Sequence, residues 1–223
     1  MNYVLKKNGT QWFDVSGKIT GQICSLTVFK GNLYCIGNIY DTTMSKDTKD
    51  FSRWVQPRPL YLAKYDGNNW LRIDTTYNFQ NARLDNVVSV SIFKNNLYIA
   101  SYWSYPEDMT YISVDAFVKW DGINDVVSVK ADTIDYSKTW GYVSGSTGVF
   151  RDELYAFGNF WYNINQSGVY FAKWDGDNWS VLEKETGWSW EAVNAMCVYK
   201  GEFYLAGKES THCIAKLNPA TKK

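Results

Sequence analysis

Short apolar segments alternate with polar turns along most of the chain. One pattern occurs four times: an aromatic residue, a basic residue, two turn residues, an apolar residue and Tyr. The first copy reads VFKGNLY over 28–34, and the others lie at 92–98, 149–155 and 198–204. Gly, Asn and Asp in such turns tolerate the positive φ that tight hairpins need. Each copy therefore predicts a β-hairpin, whose strands we call a and b.

A second pattern follows each of the first three hairpins. It reads AKYDGNNW at 63–70, VKWDG at 118–122 and AKWDGDNW at 172–179, and a variant, LKKNGTQW, opens the chain at 5–12. This pattern predicts a second hairpin, between strands c and d. Because no segment keeps a helical period, we expect an all-β protein with very little helix. A unit of roughly 50 residues with four antiparallel strands has the size of a propeller blade.

These tandem motifs resemble the kelch-like or galactose-oxidase-like β-propeller repeats of bacterial surface and phage-associated proteins. The resemblance extends from Tyr3 to Asn218. Kelch repeats carry adjacent glycines after strand b, whereas this chain has a single Gly37, Gly158 or Gly207 and, in the second repeat, Ser101. The resemblance implies a propeller fold; it leaves function open, because propellers support many unrelated activities.

The order of the motifs predicts how the propeller closes. We expect one domain over 1–223, with blades at about 20–73, 87–129, 143–182 and 193–218. Residues 3–15 would complete the last blade, so that pairing of the N- and C-terminal strands closes a ring of four blades and leaves no long free edge. Both termini offer a c-like strand, so one strand is surplus. An open array that another subunit completes is the alternative.

Strand order also assigns the connections to two sides of the blades. The a–b and c–d turns are short and share one side, whereas the b–c and d–a connections share the other and are longer. Long loops on a rigid scaffold commonly carry binding residues. The predicted ligand-binding residues are the aromatic residues on or beside these connections: Trp54, Tyr102, Trp103, Tyr105, Trp140, Trp161, Tyr162, Trp188 and Trp190. Because burying a large apolar side chain is worth about 1.5–3 kcal/mol, we expect about half of the loop Trp residues to brace the loops.

Composition and charge disfavour several classes of function. Lys and Arg number 23, as do Asp and Glu, so no broad positive field favours nucleic acid or an anionic membrane. No apolar run approaches the roughly 20 residues of a membrane span, and the N-terminus lacks a signal-peptide pattern. We therefore expect a cytoplasmic or virion-associated protein. Eleven Trp and 17 Tyr beside one His favour a binding role over acid–base chemistry.

Several residues that suggest chemistry have structural interpretations. Trp12, Trp70, Trp120, Trp174 and Trp179 occupy equivalent strand positions and are expected in the core. Asp66, Asp121 and Asp175 precede Gly in c–d turns and are expected to cap those turns rather than to bind calcium. The cysteines, Cys24, Cys35, Cys197 and Cys213, show no zinc spacing and are expected to be reduced and buried, with a Cys24–Cys197 disulfide as the alternative.

The sequence thus predicts a non-catalytic recognition or assembly module that binds glycan or protein through aromatic loops on one propeller face. It predicts no catalytic residue, metal or cofactor. The first alternative is a structural accessory of a phage particle or another large assembly. The second is a glycoside hydrolase, which would need a pair of carboxylates across a cleft, drawn from Asp47, Asp50, Glu107 and Asp108.

Overall fold

The computed structural model describes ten segments of the chain, and every regular element in them is a β-strand. The described residues are 4–41, 60–73, 86–102, 117–129, 140–142, 146–163, 166–177, 179–182, 190–209 and 214–217. The prediction of an all-β protein is confirmed for these segments. They contain no helix that is long and apolar enough to cross a membrane.

The described strands form five antiparallel sheets. An N-terminal hairpin pairs β1 (Leu5–Asn8) with β2 (Gln11–Asp14). The first sheet contains β3 (Ile19–Phe29), β4 (Asn32–Asp41), β5 (Leu60–Tyr65) and β6 (Trp70–Arg72). The second sheet contains β7 (Asn86–Phe93), β8 (Asn96–Tyr102), β9 (Phe117–Trp120) and β10 (Val127–Ser128). The third sheet contains β11 (Trp140–Tyr142), β12 (Thr147–Phe150), β13 (Glu153–Asn163), β14 (Gln166–Trp174) and β15 (Trp179–Leu182). The fourth sheet contains β16 (Trp190–Tyr199), β17 (Glu202–Glu209) and β18 (Ile214–Leu217).

Each sequence repeat folds as one sheet, with strands a to d hydrogen-bonded in chain order. In the third sheet, strand a is divided into β11 and β12, which both pair with β13. In the fourth sheet, the described residues supply strands a, b and c. The meander that the two hairpin motifs predict is therefore present in all three complete repeats.

The a–b hairpins turn through two residues, both with positive φ. These pairs are Lys30-Gly31, Lys94-Asn95, Arg151-Asp152 and Lys200-Gly201. Positive φ at both central positions defines the type I′ turn, whose twist matches that of the flanking strands. The turns lie where the sequence motif predicts them.

The c–d turns use the Asp carboxylates as the sequence predicts. One carboxylate oxygen of Asp66 accepts hydrogen bonds from the backbone N–H of Asn68 (2.8 Å) and Asn69 (2.7 Å). Asp121 repeats the arrangement with Ile123 and Asn124, both at 2.8 Å. These hydrogen bonds stabilise the turn. The structural interpretation of these carboxylates is confirmed.

A β-bulge interrupts strand a near its middle in the first, second and fourth sheets. The register shifts past Cys24 in β3, past Val88 in β7 and past Asn194 in β16, which are equivalent repeat positions. In the first sheet Gly37 lies opposite the bulge. A Cβ added there would lie 2.2 Å from the carbonyl oxygen of Gln22. Gly37 therefore makes room for the bulged strand, and it lies within strand b, not after it as the sequence motif suggests.

The sheets stack in chain order, and their facing side chains form the core. One buried cluster joins Tyr34 and Ile36 of the first sheet to Leu97 and Trp120 of the second. A second cluster joins the second and third sheets. The ring of Phe150 in the third sheet stacks on Phe203 in the fourth, with centroids 5.1 Å apart. The inner strands β3, β7, β12 and β16 contact one another in this order.

One aromatic position changes strand in the fourth repeat. Leu97 pairs with Trp120 across strands b and c of the second sheet, and Leu154 pairs with Trp174 in the third. In the fourth sheet the corresponding pair is Phe203 and Leu217. Phe203 is buried, and its ring packs against Tyr155 and Phe150 of the preceding sheet. The large ring is thus supplied by strand b instead of strand c.

The prediction that the repeat-equivalent Trp residues of the c–d motif lie in the core is confirmed at three sites and wrong at one. Trp70, Trp120 and Trp174 are buried, as expected. The prediction is wrong for Trp12, which is 62% exposed. The Lys7 ammonium lies 5.7 Å from its ring centroid. Every residue of β1 and β2 is exposed, because neither strand is covered by a neighbouring sheet. The side chain of Trp179 lies outside the described residues.

The N-terminal hairpin is anchored to the first sheet. The indole N–H of Trp70 donates to the carbonyl oxygen of Val15 (2.7 Å), and Val4 is buried in the same cluster as Trp70. In the described ladders β1 pairs with β2 alone, and β17 takes β18 as its outer neighbour. Closure of the ring by pairing of the N- and C-terminal strands is therefore not confirmed.

The cysteines divide into buried and exposed thiols. Cys35 is fully buried, as the sequence predicts, and pairs across the ladder with Leu26. Burial, together with a smaller contribution from the nearby Cys24, raises the pKa of this thiol to about 12. The prediction of burial is wrong for Cys24 and Cys197, which are exposed. Cys213 lies outside the described residues.

Candidate functional site

The a–b and c–d turns lie together on one side of the stacked sheets, which we call the turn side. The space beside Gly122, in the c–d turn of the second sheet, is bounded by the side chains of Phe29 and Lys30 at the first a–b turn. One repeat further, the Lys94 ammonium donates to the backbone carbonyl of Asp175. The opposite ends of the a–b ladders, which we call the loop ends, therefore lie away from the turns, as the strand order predicts.

Five of the predicted ligand-binding residues have a described backbone. Tyr102 ends β8, Trp140 begins β11, Trp190 begins β16, and Trp161 and Tyr162 lie near the end of β13. All five are at loop ends. The other four residues, Trp54, Trp103, Tyr105 and Trp188, lie outside the described residues. No side-chain environment is described for any of the nine.

Two of these residues are partners across the third sheet. Trp140 pairs with Trp161 in the β11–β13 ladder, followed by Gly141 with Phe160 and Tyr142 with Asn159. Directly opposite residues of an antiparallel pair have Cβ atoms about 4.5–5.5 Å apart. The two indoles are therefore attached to neighbouring points of one backbone ladder. The register of β13 with β14 shifts between Trp161 and Asn163.

In the third repeat, strands occupy residues that the sequence assigns to a loop. The sequence suggests a b–c connection over 159–168, but β13 continues to Asn163 and pairs there with Gln166 at the start of β14. Aromatic and β-branched residues extend the strands because they favour a pleated surface. Trp161 and Tyr162 consequently belong to a strand end and not to a long loop.

Charged groups on the turn side are engaged in structural contacts. A basic side chain lies within 5.6 Å of the preceding aromatic centroid at each a–b turn: Lys30 on Phe29, Lys94 on Phe93, Arg151 on Phe150 and Lys200 on Tyr199. Such cation–π contacts are typically worth about 0.5–1 kcal/mol when exposed. Backbone hydrogen bonds from Asn124 and Ile123 lower the pKa of Asp121 to about 2. These groups hold the turns together.

One carboxylate network recurs in the third and fourth sheets. Glu153 accepts hydrogen bonds from the Tyr155 hydroxyl and the Lys173 ammonium, each at 2.7 Å. Glu202 accepts the corresponding bonds from Tyr204 and Lys216 at 2.8 Å. In each network a single carboxylate is held by a cation, whereas glycoside hydrolysis needs two carboxyl groups facing one substrate. The hydrolase candidates Asp47, Asp50, Glu107 and Asp108 lie outside the described residues.

A hydroxyl cluster between the inner strands has no counterpart in the sequence predictions. The Thr147 hydroxyl lies 2.8 Å from the hydroxyls of both Ser89 and Ser91, and the Thr147 backbone N–H donates to Ser89 Oγ. These bonds join β7 to β12 in a largely buried setting. Small polar residues in alternating strand positions are too common in sequences to signal such a cluster. Its role is to satisfy polar groups where two inner strands meet.

The described residues contain no group of three or more His, Cys, Asp or Glu side chains that could hold a metal ion. No family model matches the chain, and no curated protein is similar to it in sequence. The resemblance to kelch-like repeats therefore stays a prediction.

Proposed function

We propose that the four sheets are the blades of a kelch-like propeller and that the chain is a non-catalytic recognition module. It binds glycan or protein through aromatic residues at the loop ends of the blades. The turn side contributes stability, because its charged groups make cation–π contacts with rings, hydrogen bonds with backbone groups and ion pairs with one another. Variation between repeats is concentrated at the loop ends, where binding specificity is free to change.

The observation that supports this proposal most directly is the pairing of Trp140 with Trp161 at the loop end of the third sheet. We call these two directly opposite Trp positions the platform; Trp offers a large contact area at a low cost in conformational entropy. Tyr102 and Trp190 occupy the loop ends of the second and fourth sheets. The aromatic residues are thus distributed over several blades on one side of the stack.

Such a platform suits two ligand chemistries. Trp and Tyr rings pack against the apolar face of a pyranose ring, and a polar rim would satisfy its hydroxyls. The same rings serve as anchors in a protein interface, where Trp and Tyr contribute a large share of the binding energy. We favour a glycan, because polar residues stand opposite the aromatic residues at two other loop ends: Tyr102 pairs with Asn86, and Trp190 pairs with Glu209.

The test is a glycan array followed by calorimetry on the full chain and on Trp140→Ala and Trp161→Ala. Trp12→Ala is the matched control, because this indole is exposed on the N-terminal hairpin. We expect each platform variant to weaken binding at least tenfold and the control to bind as the wild type does. Binding that is unchanged in both platform variants would remove the glycan version of the proposal.

A second candidate, a structural accessory of a large assembly, is favoured by a different observation. Both ends of the sheet stack expose aromatic residues that are buried elsewhere in the repeats. Tyr199 of the fourth sheet is 58% exposed, whereas its equivalent Phe93 is 2% exposed. An exposed apolar end is typical of a surface that meets another subunit. Sedimentation of the purified chain tests this candidate: a monomer without self-association would count against it.

A further inference from the structure

The turn of the N-terminal hairpin contains an Asn-Gly pair, Asn8-Gly9, and no other Asn in the chain precedes Gly. Such a pair favours deamidation, because Gly has no Cβ to obstruct attack by its backbone nitrogen on the Asn side chain. Asn8 ends β1 and pairs with Gln11, so Gly9 and Thr10 form the turn. Gly9 has a positive φ, and a Cβ added there would meet nothing within 4 Å. The attacking nitrogen therefore lies in an open turn.

The c–d turns of the three complete repeats carry Asp at the position of Asn8, and backbone groups hold its carboxylate. Asp66 accepts hydrogen bonds from the N–H groups two and three residues further along the chain. Asp121 accepts the same two bonds. These bonds lower the pKa of both carboxyl groups. A carboxylate that is ionised and fixed in this way is a poor target for the nitrogen of the following residue.

The side chain of Asn8 is not held in this way. Asn8 is exposed, and in the part of the chain that the structure describes its carboxamide makes no hydrogen bond. The N–H groups of Thr10 and Gln11, which correspond to the two donors at Asp66, do not bind it. The carboxamide is therefore free to rotate towards the nitrogen of Gly9.

The hairpin can also open at its turn without disturbing the core. Ring closure requires Asn8 to leave the extended strand conformation. All residues of β1 and β2 are exposed, and in the described ladders each strand pairs with the other alone. A two-stranded hairpin is marginally stable by itself, and weakly packed segments open at low free energy. The contacts of Val4, Val15 and Ser16 that anchor the hairpin lie at its base, away from the turn.

We propose that Asn8 is a site of spontaneous deamidation in the folded protein, with water as the only co-reactant. Solvent base removes the proton of the Gly9 amide, and this nitrogen forms a bond to the side-chain carbonyl carbon of Asn8. The carbon–nitrogen bond of the carboxamide breaks, and ammonia leaves. Water then opens the cyclic imide at either of its carbonyl groups. The products are aspartate and isoaspartate at position 8, and each adds a negative charge to the hairpin.

The two products should affect the hairpin in opposite ways. Aspartate is the residue that the other c–d turns carry, so it can cap the turn as Asp66 does. Isoaspartate routes the backbone through the β-carbon, and this extra atom disturbs the pairing of position 8 with Gln11. Deamidation therefore either completes the c–d turn or loosens the hairpin that carries the exposed Trp12.

The test is peptide mass spectrometry of the full chain, sampled over days at mildly alkaline pH. Fragmentation distinguishes aspartate from isoaspartate at position 8, and released ammonia is assayed in the same samples. Asn8→Gln is the matched control, because it keeps an exposed amide but would have to close a larger and less favourable ring. A parallel sample in urea gives the rate without folded structure. Urea unfolding of Asn8→Asp reports the effect of the aspartate product on stability.

We expect Asn8 to convert about tenfold faster than any other Asn of the folded chain, because only its successor lacks a Cβ. The rate should be close to that in urea, and ammonia release should fall to background in Asn8→Gln. Asp66 and Asp121 should not isomerise in the folded protein, and Asn8→Asp should be at least as stable as the wild type.

The proposal is overturned if Asn8 persists in the folded chain while it converts in urea, or if another Asn converts first. Isomerisation of Asp66 at the rate of Asn8 would overturn the protective role of the turn hydrogen bonds. A less stable Asn8→Asp variant would contradict capping by the aspartate product. None of these outcomes depends on ligand binding at the loop ends.

Discussion

The indole N–H of Trp174 donates a hydrogen bond to the Tyr98 hydroxyl at 3.3 Å, from strand c of the third sheet to strand b of the second. Both side chains are buried, and burial raises the pKa of Tyr98. A polar contact inside an aromatic interface fixes how the two sheets face each other, because an unpaired buried donor is costly. The interface between these two sheets therefore has a polar component as well as apolar packing.

Tyr98→Phe should lower the free energy of unfolding by about 0.5–1.5 kcal/mol, the usual net value of a hydrogen bond. Trp174→Phe should cost more, because it also removes ring contacts. Urea unfolding of both single variants and the double variant completes a cycle. The double variant should lose less than the sum of the single losses. Strictly additive losses would mean that the two groups are not coupled.

Acid should weaken the c–d turn of the second sheet. Hydrogen bonds hold the pKa of Asp121 at about 2, below its ordinary value of 3.8. Because the folded-state pKa is depressed, the stabilisation is present above the ordinary pKa and is lost as pH falls towards 2. Asp121→Asn keeps an acceptor oxygen but does not titrate. Wild type and variant should thus differ most in unfolding free energy near neutral pH and converge in acid.

Urea unfolding at several pH values between about 6 and 2 checks this convergence. Asp125→Asn, a nearby carboxylate on the same connection, is the control for a general charge effect. Curves for Asp121→Asn and the wild type that stay parallel down to the lowest pH would show that the turn hydrogen bonds do not depend on ionisation.

The turns were predictable from sequence because their causes are local. Lys30-Gly31 and Asp66-Gly67 carry the residue types that their backbone angles and hydrogen bonds require. Burial of the Trp residues was less predictable, because it depends on the neighbouring sheet. Trp12 and Trp70 end the same motif, yet only Trp70 is buried. The motif defines a strand position, but a distant part of the chain decides whether that position is covered.

At the candidate site, too, features with local causes were predictable and features that depend on distant segments were not. Strand order alone indicates that Tyr102 and Trp190 lie at loop ends. The pairing of Trp140 with Trp161 was not predictable, because it requires strand a to resume beyond an interruption and strand b to continue past its expected end. Such a register depends on which residues of two distant segments meet, and no local pattern specifies it.

Thiol labelling should distinguish the exposed cysteines from the buried one among the described residues. Cys24 and Cys197 are exposed, and their thiols should react with a maleimide in the folded protein. Cys35 should react only on unfolding, because burial raises its pKa to about 12 and excludes the reagent. Mass spectrometry of peptides from labelled protein, with and without urea, measures each site. Labelling of Cys35 as fast as that of Cys197 would show that the first sheet opens readily.

Gly37→Ala should destabilise the first sheet, because the added methyl group meets backbone atoms of the bulge in β3 and not a movable side chain. The nearest atoms are the carbonyl oxygen of Gln22 at 2.2 Å and the amide nitrogen of Cys24 at 2.8 Å. Forcing an extra carbon into a packed site typically costs about 1–3 kcal/mol. Urea unfolding measures the loss.

Ser101→Ala is the matched control, since Ser101 pairs with Val87 beside the equivalent bulge in β7 and already carries a Cβ. We expect the control to unfold close to the wild type. Wild-type stability in Gly37→Ala would mean that β3 and β4 separate at the bulge without cost. The glycine within strand b would then need a cause other than close approach, and because three of the four repeats carry it, that cause would have to act in each of those sheets.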